Sequence, residues 1–122
     1  MNQVILEGRI TGDLRKKNEK APCEFRLETR DDWRGEKVEG KNNYQYHPIV
    51  VWGKKGEWAM ETFKRNDIVR VEGFLQHKTI EFTPKDENNN PIKDANGQPV
   101  VIKTVISEIK VKNLKSLGSA VR

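Results

Sequence analysis

Residues 23–29 alternate strictly: Cys23, Phe25, Leu27 and Thr29 are interleaved with Glu24, Arg26 and Glu28. A period of two with one wet face predicts a half-buried strand. Upstream, Val4, Leu6 and Ile10, with Ile5 between, predict a first strand, and Gly8 and Gly12 punctuate it as bulge or bend positions. Residues 44–52, YQYHPIVVW, predict a third strand ended by Gly53. Its alternation sets Tyr44, Tyr46, Pro48, Val50 and Trp52 on one face and Gln45, His47, Ile49 and Val51 on the other. Both faces carry apolar surface. One must be core, and the aromatic one needs another reason to exist.

The period then changes. In KKGEWAMETFKR, residues 54–65, the residues Trp58, Ala59, Thr62 and Phe63 share one face of a short helix. Ile68, Val69, Val71, Phe74 and Leu75 predict a fourth strand with Gly73 as a bulge, continuing through Lys78, Ile80 and Phe82. Residues 84–99, PKDENNNPIKDANGQP, are polar and turn-rich, with Asn96-Gly97 as a hairpin signal. A last strand from Val100 to about Val111 closes the domain, so 1–111 reads as one domain and 112–122 as a short, frayed basic tail. Residues 30–43, around Trp33, read as a long polar loop. No internal repeat is expected apart from the asparagine triplet at 88–90. The resulting expectation is all-β: five strands, one short helix between the third and fourth, and a long hairpin excursion between the fourth and fifth. That is the element order of an oligonucleotide-binding (OB) barrel.

Composition narrows the chemistry. The 122 residues suffice for one small core, since only 34% are hydrophobic and 34% are charged. The single cysteine, Cys23, excludes an internal disulfide and a multi-cysteine metal site and is expected in the core. No apolar run approaches the roughly 20 residues of a membrane span, and the N-terminus has no basic n-region; a cytoplasmic protein without a membrane partner is expected. The net charge of +5 leans toward a polyanion, with basic residues gathered at 15–20 and no acidic residue after Glu108. Neither a cofactor nor a metal is expected, and no catalysis. Asp31 and Asp32 are adjacent and would point to opposite faces of a strand, two histidines and one cysteine stand outside any nucleophile motif, and there is no Gly-rich phosphate loop.

Four blocks, NQVILEGRITGD from Asn2, FRLETRDDW from Phe25, YHPIVVWGK from Tyr46 and VEGFL from Val71, resemble the bacterial single-stranded DNA-binding protein family, in order and at its approximate spacing. The resemblance implies an OB fold, sequence-tolerant binding of single-stranded DNA in replication, recombination and repair, and a homo-oligomer, usually a tetramer. It places the family's stacking aromatics on Trp33 (followed by Arg34), Tyr46 and Trp52, and its assembly histidine on His47. A further family tryptophan falls on Ile80, and Phe82, two residues along on the same face, is expected to replace it. Pro48 within the third strand should confine that position to an edge or bulge. The chain ends KNLKSLGSAVR, without the family's acidic tip, so partner recruitment by that route is not expected. CEFRLETR and VEGFLQHK also resemble the primosomal replication protein, which would imply a dimer working in replication restart.

The resemblance and the physics meet at the aromatic face. A protein that binds single strands without reading sequence needs flat π-surfaces for any base and cations for phosphates. Stacking is expected on Trp33, Tyr46, Trp52 and Phe82, while Tyr44 fits either stacking or structure. Phosphate contacts are expected from Arg9, Arg30, Arg34, Lys54 and Lys78, extended by Lys37 and Lys41 if their loop folds over DNA. Trp58 and Phe63 are expected to plug the barrel, Phe25 to lie in the core, and His77 on the surface. A protein-binding or oligosaccharide-binding OB module is the competing class, and its affinity would be indifferent to salt.

Overall fold

The computed structural model of the chain describes residues 1–30 and 43–119. Six elements follow in order: β1 (Val4–Arg15), β2 (Cys23–Arg30), β3 (Tyr44–Val51), α1 (Gly53–Thr62), β4 (Asp67–Phe82) and β5 (Ile102–Ser119). The chain divides into two units, Met1–Gln76 with Glu108–Arg122, and His77–Ser107.

The first unit is a barrel closed in the order β1-β2-β3-β5-β4, with α1 between β3 and β4, which is the OB arrangement. β1 pairs antiparallel with β4 from Val4↔Gly73 to Arg9↔Ile68, and with β2 from Arg9↔Glu28 onward. Arg9 thus pairs on both sides. The register with β2 shifts between Thr11 and Arg15, where Gly12 sits at φ 76°. The bulge expected there is present, and glycine takes the left-handed backbone without a Cβ penalty.

Gly73 is different. It ends the β1–β4 register opposite Val4, and no shift occurs up to it. Its missing Cβ instead makes room for a neighbouring strand: a methyl at Gly73 would fall on the Lys110 carbonyl of β5 and about the Val111 Cα.

The core gathers the inward residues of the alternations: Ile10, Cys23, Phe25, Leu27, Ile49, Val51, Val69, Val71, Ile109 and Val111. Burying each larger aliphatic side chain contributes about 1.5–3 kcal/mol. Cys23 is fully enclosed, and burial pushes its thiol up to about 11, which keeps it inert. β3 pairs with β2 along its length and meets β5 in parallel at Ile49↔Ile109 and Val50↔Lys110. Pro48 stands one residue before the first β5 partner, an edge position on that side, as its missing N–H requires.

The helix face and the C-terminal end depart from expectation. Phe63 enters the core, but Trp58 does not: it is 43% exposed and packs edge-on against Phe63, with ring centroids 5.2 Å apart and planes at 89°. The buried residues of α1 are Gly56 and Ala59, followed by Phe63 at its C-cap. At about 100° per residue, Trp58 precedes Ala59 by too wide an angle to share that stripe.

The other correction concerns the C-terminal end, where a frayed tail was expected from Lys112. β5 instead continues to Ser119, with Leu114 in the core. The inward positions Ile109, Val111 and Leu114 change parity after Val111, so a strict period of two loses the strand there. The Lys55 ammonium also donates to the Lys112 carbonyl.

In the second unit the strands face each other through a His77 Nδ1–Ser107 Oγ hydrogen bond of 3.0 Å and a Glu81–Lys103 ion pair of 3.5 Å. His77 is exposed, as expected. Beyond them the chain forms the same turn twice, in the octapeptides KDENNNPI (85–92) and KDANGQPV (93–100). The expectation of no repeat is therefore corrected. Lys85 bridges Pro91, and Lys93 bridges Pro99. Asp86 Oδ1 accepts the backbone N–H groups of Asn88 and Asn90, and Asp94 Oδ1 those of Asn96 and Gln98. The left-handed position is Asn89 (φ 65°) in one and Gly97 (φ 76°) in the other, so the turn expected at Asn96-Gly97 has an exact precursor. The letters carry the repeat as well: Lys85 and Lys93, Asp86 and Asp94, Asn88 and Asn96, and Pro91 and Pro99 recur in place, and they supply the Asx acceptor and the closing proline of each turn. Ile92 N–H bonds Pro84 O and Val100 N–H bonds Ile92 O, each at 2.9 Å, so each octapeptide closes on the residue just before it.

Deleting residues 93–100 should consequently leave the far-ultraviolet spectrum native. Halving a loop changes closure entropy by only about 0.6 kcal/mol, so the melting temperature should move by less than about 4 °C. A larger drop would mean that the second octapeptide carries contacts beyond its own turn.

Candidate nucleic-acid interface

The outer face of β1, β2 and β3 is set by register. Arg30 lies opposite Tyr44, Glu28 opposite Tyr46, Arg26 opposite Pro48 and Glu24 opposite Val50. On the other side of β2, Arg9 lies opposite Glu28 and Thr11 opposite Arg26. Directly opposed residues share a face, so cations and tyrosines interleave across three strands. Tyr46 is 50% exposed and Tyr44 42%, whereas Val50, farther along, is buried.

Trp52 continues the parity of Tyr44 and Tyr46 just beyond β3. It is the N-cap residue of α1, extended at φ −90° and ψ 155°, and 48% exposed. It supplies no side-chain cap, and the first turn contains no acidic residue but holds Lys54, which is exposed. The uncapped N–H groups and Lys54 make a positive end beside the indole.

His47 points to the other side of β3. It is half-buried, its Nε2 lies 2.8 Å from Thr29 Oγ1, and burial holds its pKa below the usual imidazole value.

The expected residues fall in two units. Tyr46, Trp52, Arg9, Arg30 and Lys54 belong to the barrel unit. Phe82, 48% exposed, and Lys78 lie on β4 within the second unit, at positions of the same parity. Trp33, Arg34, Lys37 and Lys41, with Asp31 and Asp32, lie outside the described residues. Arg9 is already engaged: its Nη2 donates to Glu28 Oε2 at 2.7 Å and its Nη1 to Asn66 Oδ1 at 2.6 Å. In the basic run at 15–20, Lys16 is held by the Glu19 carbonyl at 2.9 Å and lies 3.8 Å from Glu57.

Arg26 was not singled out from the sequence, yet it is exposed on this face beside Pro48. The alternation of β2 contained the signal, since Arg26 falls on the wet side. What it lacked was the register that sets β2 beside the tyrosines of β3. Among the described residues, no group of histidine, cysteine or carboxylate side chains is arranged to hold a metal, and no helix is long and apolar enough to cross a membrane.

Known proteins share this architecture. Two solved structures superpose over nearly the whole chain. One is a Plasmodium falciparum SSB complex with ssDNA, with TM-score 0.62 and 21% identity, covering 96% of this chain and 95% of that one. The other is a mitochondrial single-stranded DNA binding protein from S. cerevisiae, with TM-score 0.59 and 12% identity, covering 97% and 96%. At these identities the likeness is one of fold. Among sequence relatives, the chain is 33% identical over 85 residues to single-stranded DNA-binding protein 2 of Clostridium acetobutylicum, covering 66% of this chain and 62% of that protein. It is 29% identical over 104 residues to single-stranded DNA-binding protein 1 of the same organism, covering 82% and 91%. With the single-stranded DNA-binding protein of Neisseria meningitidis serogroup A it shares 28% over 107 residues, again 62% of the relative's length. The model of the single-strand binding protein family matches residues 1–105, a span that takes in the barrel strands β1 to β4, the helix and the interleaved face, and the chain belongs to that family.

Proposed function

We propose that the chain binds single-stranded DNA without reading its sequence and shields it during replication, recombination and repair. The observation that carries this reading is the pair of half-exposed aromatics, Tyr46 and Trp52, of one parity, the first diagonal to Arg26 and Arg30 and the second followed closely by Lys54. Exposed rings of that size are a solubility liability unless something stacks on them. Each base stacked on such a ring contributes about 1 to 3 kcal/mol. Phe82 offers a further platform in the second unit, and the family resemblance adds Trp33. Phosphate contacts come from Arg30, Lys54 and Lys78, joined by Arg26, with Arg34 carried over by resemblance and Arg9 restrained by its carboxylate partner.

No step of this function needs a catalytic group or a cofactor. The half-buried His47, hydrogen-bonded to Thr29, is the proposed contact in self-assembly. Sedimentation would separate the tetramer implied by the single-strand binders from the dimer implied by the primosomal relative.

The test is intrinsic tryptophan fluorescence during titration with oligothymidylate at low and high salt, with duplex DNA as control. Quenching by the single strand alone is expected, with an affinity that falls with salt by about 0.7 log units per phosphate contact. Binding indifferent to salt would favour an OB module for a neutral ligand, and the absence of binding would sink the reading.

A further inference from the structure

One row of the outer face reads cation, carboxylate, aromatic: Arg9 on β1, Glu28 on β2 and Tyr46 on β3 stand directly opposite one another. The carboxylate is the most enclosed of the charges in its ion pair. Glu28's side chain is 12% exposed while that of Arg9 is 41% exposed, and the two meet at 2.7 Å. Arg9 is gripped from the other side by Asn66, the left-handed residue (φ 76°) at the entry to β4. An exposed ion pair of this kind would be too weak and too mobile to matter, but here the carboxylate is largely out of water and its partner is held by two acceptors.

We infer that Glu28 is an internal competitor for the nucleic-acid backbone, a carboxylate that neutralises Arg9 and sets single-strand affinity below what the cationic face could deliver. Three physical points support this. A base stacked on Tyr46 brings its phosphates near the residue opposite, and that residue is Glu28, whose charge repels them. A phosphate reaching Arg9 must either pull the guanidinium away, leaving a mostly buried carboxylate without its counter-charge, or share the guanidinium with Glu28 and gain less from it. And Asn66 fixes the fork toward Glu28, so Arg9 cannot turn to the ligand without breaking a second hydrogen bond. A binder that must yield its strand to other proteins gains from such a brake, because the grip on each nucleotide is loosened without removing a stacking ring.

This inference rests on the single-strand reading of the same face and deepens it. Fluorescence anisotropy with labelled oligothymidylate, followed across a range of KCl concentrations, tests it on the wild type, Glu28→Gln, Arg9→Gln and the double variant. Glutamine keeps an acceptor for the guanidinium and removes only the charge. Glu28→Gln should bind roughly three- to tenfold tighter at low salt, the scale of one partly screened charge pair. Its salt slope should be steeper by about 0.7, one additional phosphate contact on a single strand. The gain should shrink when Arg9 is also glutamine, because only the direct repulsion between Glu28 and the phosphates is then left to relieve, and an undiminished gain would mean that Glu28 does not act through Arg9. Glu28→Thr, a neutral strand former, should reproduce the tighter binding and serves where the glutamine variant fails to fold. Wild-type binding with affinity and slope unaltered in a folded charge-removed variant would overturn the inference alone. Absence of wild-type binding would remove the single-strand reading and this inference with it.

Discussion

Replacing Tyr46 and Trp52 together with alanine is expected to weaken oligonucleotide binding by roughly 30-fold or more while leaving the fold intact. The lower bound takes about 1 kcal/mol for each lost stacking partner, the least that alanine substitution costs at such platforms. Stability should barely move, because both side chains are about half exposed and neither belongs to the core. Trp52 is an N-cap residue, but it makes no side-chain capping bond, so alanine there removes none. Anisotropy measures the affinity and circular dichroism the fold. Undiminished binding by a natively folded double variant would assign the rings to an assembly surface and leave the cations without a stacking face to serve.

A large effect on stability is expected at Gly73. Alanine there would drive its methyl into the Lys110 carbonyl and toward the Val111 Cα at 3.1 Å. Both obstacles are backbone of β5, so no side chain can swing aside, and β4 and β5 would have to separate where the barrel closes. Overpacking against rigid backbone costs about 3 kcal/mol, which for a chain of this length lowers the melting temperature by roughly 10 °C or more. Gly12→Ala is the informative contrast. Its φ of 76° is strained for alanine, but nothing lies within contact of the added methyl, so only the backbone term of about 1 to 2 kcal/mol applies. Thermal melts of the two variants compare them directly, and equal losses would mean that the close approach at Gly73 relaxes without cost.

Much of the architecture was legible because its period was simple. The alternation of Cys23, Phe25 and Leu27, and of Ile49 with Val51, marks the inward faces of β2 and β3, and each of these residues is in the core. The helix was legible as a change of period, but its phase was not. Trp58 and Ala59 are neighbours in sequence, and which one meets the core depends on where the helix docks. β5 was lost after Val111 because the inward parity switches before Leu114, whereas the tandem turns were legible, since Lys85, Asp86, Asn88 and Pro91 recur in place as Lys93, Asp94, Asn96 and Pro99; only the left-handed position changes letter, from Asn89 to Gly97.

The candidate interface divides along the same line. That Tyr46 and Trp52 share a face, and that Arg26 and Glu28 lie on the wet side of their strand, are consequences of a backbone whose side chains alternate, and the sequence by itself determined them. Which strand lies beside which, and at what register, is decided by closure of the barrel. Only the tertiary structure could set Arg26 beside Pro48, or place Glu28 between Arg9 and Tyr46 with Asn66 holding the guanidinium from behind. The physical reason is one of range. Alternation and turn chemistry act between residues a few positions apart, whereas an ion pair between β1 and β2, steadied from the turn before β4, exists only once the barrel has brought distant segments within hydrogen-bonding reach.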